Sequence, residues 1–193
     1  EEEMPTDVST QYLDGSFTYA INKSKSNPTL NPSSVNLFRF AIPDFKLFEI
    51  LQIDAPVGND TIGIKNIFFN GEGNWIEGPL NDLGWFPEPV RKLIRKTHAI
   101  LSQHKAPFRS NEAIPLVQTL NSNVYANFFP SDRKNIWTLF NPGNSDINGE
   151  IIKILHKPGA VYYDAWNCKD IPVTVSGGYV TISMKIAAKD AGC

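Results

Sequence analysis

Residues 64–75 read Ile-Lys-Asn-Ile-Phe-Phe-Asn-Gly-Glu-Gly-Asn-Trp. An apolar run with β-branched and aromatic residues stops on an amide, two glycines and a carboxylate. A buried parallel strand has this texture, because it is covered on both faces and so does not alternate. Polar residues at its end are what such a strand presents at the mouth of a barrel of alternating strands and helices. The stretch predicts an α/β region with a strand over 64–69, and it sets Asn70 and Glu72 at the open end.

The neighbouring segments extend this pattern. Residues 12–21 fit a strand or a helix start equally well, and 22–34, with Pro28 and Pro32 among serines and asparagines, form a loop. A strand is expected over 35–42, stopped by Pro43, and a short helix over 45–53. Gly71, Gly73, Gly78, Pro79 and Gly84 punctuate a long loop that carries Trp75 and Trp85. Pro87-Glu88-Pro89 then opens a helix with Val90, Leu93, Ile94, Thr97 and Leu101 on its buried stripe and Pro107 at its end. Its cations Arg91, Lys92, Arg95 and Lys96 are read as a solvated face.

From Ile114 the grammar changes to short strands separated by turns: 124–129, 136–140, 150–155, 160–166, 171–175 and 179–186. The last alternates cleanly, with Val180, Ile182, Met184 and Ile186 on one face, and Ser176-Gly177-Gly178 supplies the hairpin turn before it. Strands at this spacing with no helix between them predict an antiparallel β-sandwich. The fold class expected is thus α/β plus all-β, with residues 1–112 as barrel segment and 113–193 as sandwich.

Composition narrows the partners. A formal net charge of −2 gives no basic footprint, which argues against nucleic acid and anionic membranes as partners. No apolar run approaches the roughly 20 residues of a membrane-spanning helix. The first residues, Glu1-Glu2-Glu3-Met4, show neither a start nor a leader, so the chain is expected to be cut from a longer one. Cys168 and Cys193 are too few for a disulfide framework and read as unpaired thiols.

Familiar site chemistries are mostly missing. His98, His104 and His156 lack zinc-ligand spacing, no glycine-rich phosphate loop or nucleophile elbow occurs, and no cofactor is implied. Asn144-x-Asp146-x-Asn148-Gly149 imitates a calcium loop but has Leu155 where a bidentate Glu is needed, so a turn is expected. What remains is carboxylates beside glycines and predicted strand ends: Asp14, Asp44 and Glu72. Glycoside hydrolysis needs two such groups, one protonated to assist the leaving oxygen and one ionised to attack or to activate water. Trp75 and Trp85 suit the apolar face of a sugar ring. The simpler roles are also open, since Asp before Gly makes turns and Asp44 can cap a helix.

The order of parts adds a resemblance. Phe-Arg-Phe-Ala-Ile-Pro-Asp-Phe-Lys, Phe-Phe-Asn-Gly-Glu-Gly, a Pro-led helix, Pro115-Leu116-Val117, Val-Tyr-Ala-Asn-Phe-Phe-Pro and Ile-Trp-Thr-Leu-Phe-Asn follow one another. This resembles the carboxy-terminal part of a TIM-barrel glycoside hydrolase of the α-galactosidase and α-amylase-like type. The resemblance implies an oligosaccharide or polysaccharide substrate, the upstream part of the same barrel as a partner, and a secreted or periplasmic location. It places the family's usual catalytic pair upstream of Glu1 and makes Asp44 and Glu72 substrate-contacting or supporting residues; within this chain Glu72 and Asp44 are the candidate catalytic carboxylates and Asp14, Asn70, Trp75 and Trp85 the candidate substrate contacts. A whole barrel needs about 250 residues, so the chain alone is expected to be inactive. The competing expectation is a non-catalytic module that binds glycan or braces a neighbour. An exposed row containing Tyr163 and Trp166 would favour binding, and burial of both would favour bracing.

Overall fold

The structure is a computed structural model and describes residues 9–12, 15–18, 35–51, 61–76 and 87–193. Asp14, Trp85 and the loop expected over 22–34 lie outside the described residues. The front part alternates strand and helix: β1 (Gly15–Thr18), α1 (Leu37–Ala41), β2 (Lys46–Leu51), α2 (Thr61–Phe69), β3 (Gly73–Ile76) and α3 (Glu88–Gln103). The three strands are parallel and lie side by side in the order β1-β2-β3.

Three expected elements change type. Residues 35–42 are not a strand: Asn36 caps α1, its side-chain oxygen accepting from the Arg39 amide at 3.4 Å. The described part of the helix expected over 45–53 is not helical but holds β2, whose two parallel neighbours supply its ladder bonds. The run 64–69 is not a strand but the body of α2. Its side chains at Ile64, Ile67, Phe68 and Phe69, together with Gly63 and Asn66, are all buried. A helix buried all round shows no polar stripe, so its period is invisible and it reads like a strand covered on both faces.

Helix α3 follows the sequence more closely. It begins behind Pro87 with Pro89 in its first turn, and Glu88 pairs with Arg91 at 2.9 Å. Val90 and Ile94 pack on Ile64 and Ile67 of α2. Ile100 is buried on this helix, while Leu93 and Leu101 are half-buried. Pro107 does not stop the chain's helical course, since it sits inside the short α4 (Lys105–Phe108), where its missing N–H is needed by no partner.

The remainder is antiparallel: β4 (Tyr125–Phe129), β5 (Ile136–Asn141), β6 (Ile147–Leu155), β7 (Tyr163–Asp164), β8 (Lys169–Asp170), β9 (Val175–Ser176), β10 (Tyr179–Ile186) and β11 (Asp190–Gly192). They form two three-stranded sheets, β11-β5-β4 and β6-β10-β9, and the small pair β7-β8. The expected strand 160–166 shrinks to β7. The expected strand 171–175 is reduced to its last residue, with β8 ahead of it. Between β7 and β8 the chain turns through Cys168 in the left-handed region, with φ 54°. Gly177 and Gly178 turn the β9-β10 hairpin with φ 58° and 80°, the paired positive values of a type I′ turn.

The sheet β11-β5-β4 is a middle layer. On one side Val124, Ala126 and Leu139 share a core with Ile151, Val180, Ile182, Met184 and Ile186 of the second sheet. On the other, Phe129, Ile136 and Phe140 share a core with Phe68, Phe69 and Phe108 from the helices and with Trp166. β11 extends the expected set: β10 is followed by a further strand, which pairs with β5.

Candidate functional site

The polar end of the central stretch is a helix cap. Gly71 takes φ 71°, its N–H bonds the Phe68 carbonyl at 2.9 Å, and the Glu72 N–H bonds the Ile67 carbonyl at 3.2 Å. These two bonds define a Schellman motif, which satisfies carbonyls that the last helical turn leaves open. A Cβ on Gly71 would lie 2.7 Å from the Phe129 ring, so the site requires glycine for space as well as for φ. The chain then enters β3 at Gly73. Glu72 consequently stands before β3 and not after a strand, which corrects the expected strand mouth.

Asp44 has the corresponding place before β2. It is exposed, and its Oδ1 accepts from Asn111 Nδ2 at 2.7 Å. Because β2 and β3 are parallel neighbours, Asp44 and Glu72 share one end of the sheet, and it is the amino end. Each is engaged by a different partner. Glu72 is 4% exposed, and its Oε1 accepts from Asn36 Nδ2 at 2.7 Å. Asn70 is fully buried; its Oδ1 accepts from the Asn36 N–H at 2.9 Å and its Nδ2 donates to the Asn66 carbonyl at 3.0 Å. The capping residue of α1 is thereby tied to the turn between α2 and β3.

Arg39 completes this buried polar group. It is 3% exposed, lies over the Phe129 ring and donates from Nη2 to the Phe108 carbonyl at 2.5 Å. Burial pulls its pKa down, and the charge of Glu72 pulls it back up. Buried charges persist only when hydrogen-bonded or paired, so the cluster joins α1, the α2-β3 turn and α4 in one arrangement. Its members from the first helix, Asn36 and Arg39, were not anticipated from sequence. Asn36, three residues before Arg39 and just ahead of an apolar run, carried a capping signal that could have found them.

The other expected residues scatter. Trp75 lies in β3, its backbone paired with Ile50. Trp166 is 4% exposed, packed on Phe68 at a ring separation of 5.1 Å with Lys96 Nζ 3.9 Å from its ring centre. Tyr163 is 49% exposed, so the two form no common face. The histidines are far apart in role: His98 Nε2 accepts from the Asn74 N–H at 3.3 Å, His104 Nδ1 meets Lys134 Nζ at 2.9 Å, and His156 Nδ1 meets the Tyr162 hydroxyl at 2.9 Å. Among the described residues no group of His, Cys, Asp and Glu could hold a metal ion. Asp146 is taken up by Lys185 at 2.7 Å and the Ala188 N–H at 3.0 Å.

A second junction lies at the other side of the α2 terminus. The Phe69 carbonyl, at the last helical residue, accepts from Asn127 Nδ2 of β4 at 2.9 Å and from Thr138 Oγ1 of β5 at 2.6 Å. Lys65 of α2 pairs with Asp190 of β11 at 2.8 Å. Side chains of the antiparallel sheet therefore finish the hydrogen bonding of a helix in the parallel region.

The chain shares its fold with α-amylase structures. An α-amylase from Anoxybacillus matches at a TM-score of 0.60 and 10% identity, over 93% of this chain and 46% of its own. A noncanonic maltogenic α-amylase from Thermotoga neapolitana matches at 0.57 and 12% identity, over 96% and 51%. A debranching enzyme from Nostoc punctiforme matches at 0.54 and 10% identity, over 93% and 47%. The chain thus spans about half the length of these enzymes. No protein-family model matches it, and no curated protein does.

Proposed function

We propose that this chain is part of a carbohydrate-active glycoside hydrolase, with residues 1–112 forming the last strand-helix units of a (β/α)8-type barrel and 113–193 a β-sandwich that braces it. The observation that carries the reading is the order of parts: three parallel strands each followed by helix, then antiparallel sheets docked on the same helices, in an arrangement similar to α-amylases over nearly the whole chain. A fold hosts many chemistries, so the substrate is inferred from the neighbours as an oligosaccharide or polysaccharide. Three strands cannot close an eight-stranded barrel, and the rest would come from the same polypeptide.

In this reading Glu72, Asn70 and Asp44 serve the fold. Barrel enzymes work at the carboxyl ends of their strands, whereas residues at the amino end contribute stability. Substrate contact falls instead to the loops after β1, β2 and β3, which carry Trp85 and follow Trp75. The bracing role has its own support: Trp166 is buried between the layers rather than displayed, and Asn127 and Thr138 cap α2.

Assays of this chain and of an upstream-extended chain on a panel of aryl glycosides, oligosaccharides and polysaccharides test the proposal. Turnover is expected from the extended chain alone, and Glu72→Gln in it should lower stability while leaving turnover per folded molecule within about tenfold, a barrier change under about 1.4 kcal/mol. Turnover by the short chain that vanishes in Glu72→Gln would reverse the assignment. An extended chain inert on the whole panel would reject the hydrolase reading.

A further inference from the structure

A groove of about 330 Å³ opens at one end of the antiparallel layers, between the β4-β5 connection and the segment after β6. Trp137 and Tyr162 lie along it, and Arg133, Lys134 and Lys157 stand on its rim with Asp132. A broader hollow of about 830 Å³ adjoins it and shares Asp132, Asn135 and Lys157. Both rings are held in place. Trp137 is stacked on its cross-strand partner Phe128 with centroids 4.7 Å apart, and the Tyr162 hydroxyl meets His156 Nδ1 at 2.9 Å.

The charge here runs against the rest of the molecule. Three cations and one carboxylate give the groove a local excess of positive charge on a chain whose formal net charge is −2. Among the described residues Arg133, Lys134 and Lys157 form no ion pair, although ion pairs occur elsewhere, at Lys65, Arg91, Lys92, Lys169 and Lys185. Lys134 Nζ contacts His104, whose pKa is held down by burial and by Lys134 itself, so this contact does not neutralise the lysine. Fixed aromatic faces beside unneutralised cations suit a ligand with apolar ring faces and negative substituents.

We propose that this groove binds an acidic oligosaccharide, a chain of sugar rings bearing carboxylate or sulfate groups. The rings stack on Trp137 and Tyr162, and the anionic groups meet Arg133 and Lys157, with Asn135 available to the hydroxyls. Binding is read without turnover, so its outcome and that of the hydrolase assays are separable. The test is calorimetric titration of the 193-residue chain with oligogalacturonate, a sulfated glucan oligosaccharide and a neutral malto-oligosaccharide of equal length. Saturable binding of at least one acidic ligand is expected, weakening as salt rises. The Arg133→Ala/Lys157→Ala double variant should lose at least about tenfold in affinity, near 1.4 kcal/mol. These positions are exposed, so the variant keeps its fold, and Tyr162→Phe checks that the stacking face survives without the hydroxyl. Equal or tighter binding of the neutral ligand, no binding of either acidic one, or an unchanged double variant would overturn the proposal.

Discussion

Helix α2 buries six of its nine residues and leaves none fully exposed, whereas strand β10 buries one face and leaves the other to solvent. α2 meets α3 through Ile64 and Ile67, Trp166 through Phe68 and the middle sheet through Phe69. β10 sends Val180, Ile182, Met184 and Ile186 into the core between the sheets, while Tyr179, Ser183 and Lys185 are exposed. The two elements are similar in apolar content but differ in what a lost side chain does. A cavity in β10 weakens one inter-sheet core. A cavity in α2 weakens an element whose own side chains meet α3, Trp166 and the middle sheet at once, so it loosens the joint between the two regions.

The largest effect is expected at Phe69. Phe69→Ala should destabilise by about 3–5 kcal/mol, the range for a buried aromatic, and urea unfolding followed by far-UV circular dichroism and by tryptophan fluorescence, coincident in the parent chain, should separate in the variant. Coincident transitions in the variant would mean that α2 does not couple the regions. Ile182→Ala should cost about 2–5 kcal/mol and leave the parallel region's helical signal intact until the main transition. A cost below about 0.5 kcal/mol, typical of surface sites, would deny that β10 faces a core.

Smaller changes sharpen the picture of the α2 terminus. Gly71→Ala combines a positive φ with overlap against Phe129, and each effect costs about 1–3 kcal/mol. Its measured cost should exceed that of Gly177→Ala, where φ is also positive but nothing lies within 4 Å of the added Cβ. Thr138→Val removes one of two donors to the Phe69 carbonyl at nearly constant shape, for an expected loss of about 1 kcal/mol. No loss in thermal denaturation would show that Asn127 suffices.

The smallest effect is a pH dependence. Burial lowers the pKa of His98, whose neutral ring accepts from the Asn74 N–H. A group with a depressed folded pKa binds fewer protons when folded, so stability is lost as pH falls below the unfolded value of about 6.5. The loss should grow until pH passes the folded pKa, and His98→Gln should flatten that part of the profile. An unchanged slope would place the titration at His104, which is shifted the same way.

Elements are legible in the sequence where one face meets water or where a residue has few conformational choices. The inward set of β10, the Gly177-Gly178 turn and the Pro-led start of α3 were all visible. In the front part helix and strand are exchanged: α1 lies within 35–42, α2 contains 64–69, and β2 (Lys46–Leu51) stands where a helix was expected. Those segments are too short for periodicity to separate helix from strand, and the burial of most of α2 removes its polar stripe. The carboxylates were placed at the right edge of the wrong elements, because the glycines after Phe69 signal a helix stop as readily as a strand end.

The inward face of β10, the turn chemistry and the Pro-led start of α3 were thus set by the sequence alone, since each depends on a residue and its near neighbours. Tertiary structure decided which of the short front segments are helix and which strand, that Asn36 reaches Glu72 across 36 positions, and that Asn127 and Thr138 finish the hydrogen bonding of α2. A buried carbonyl or carboxylate must find a partner wherever the chain supplies one. That partner's distance along the sequence is set by packing, not by any local pattern.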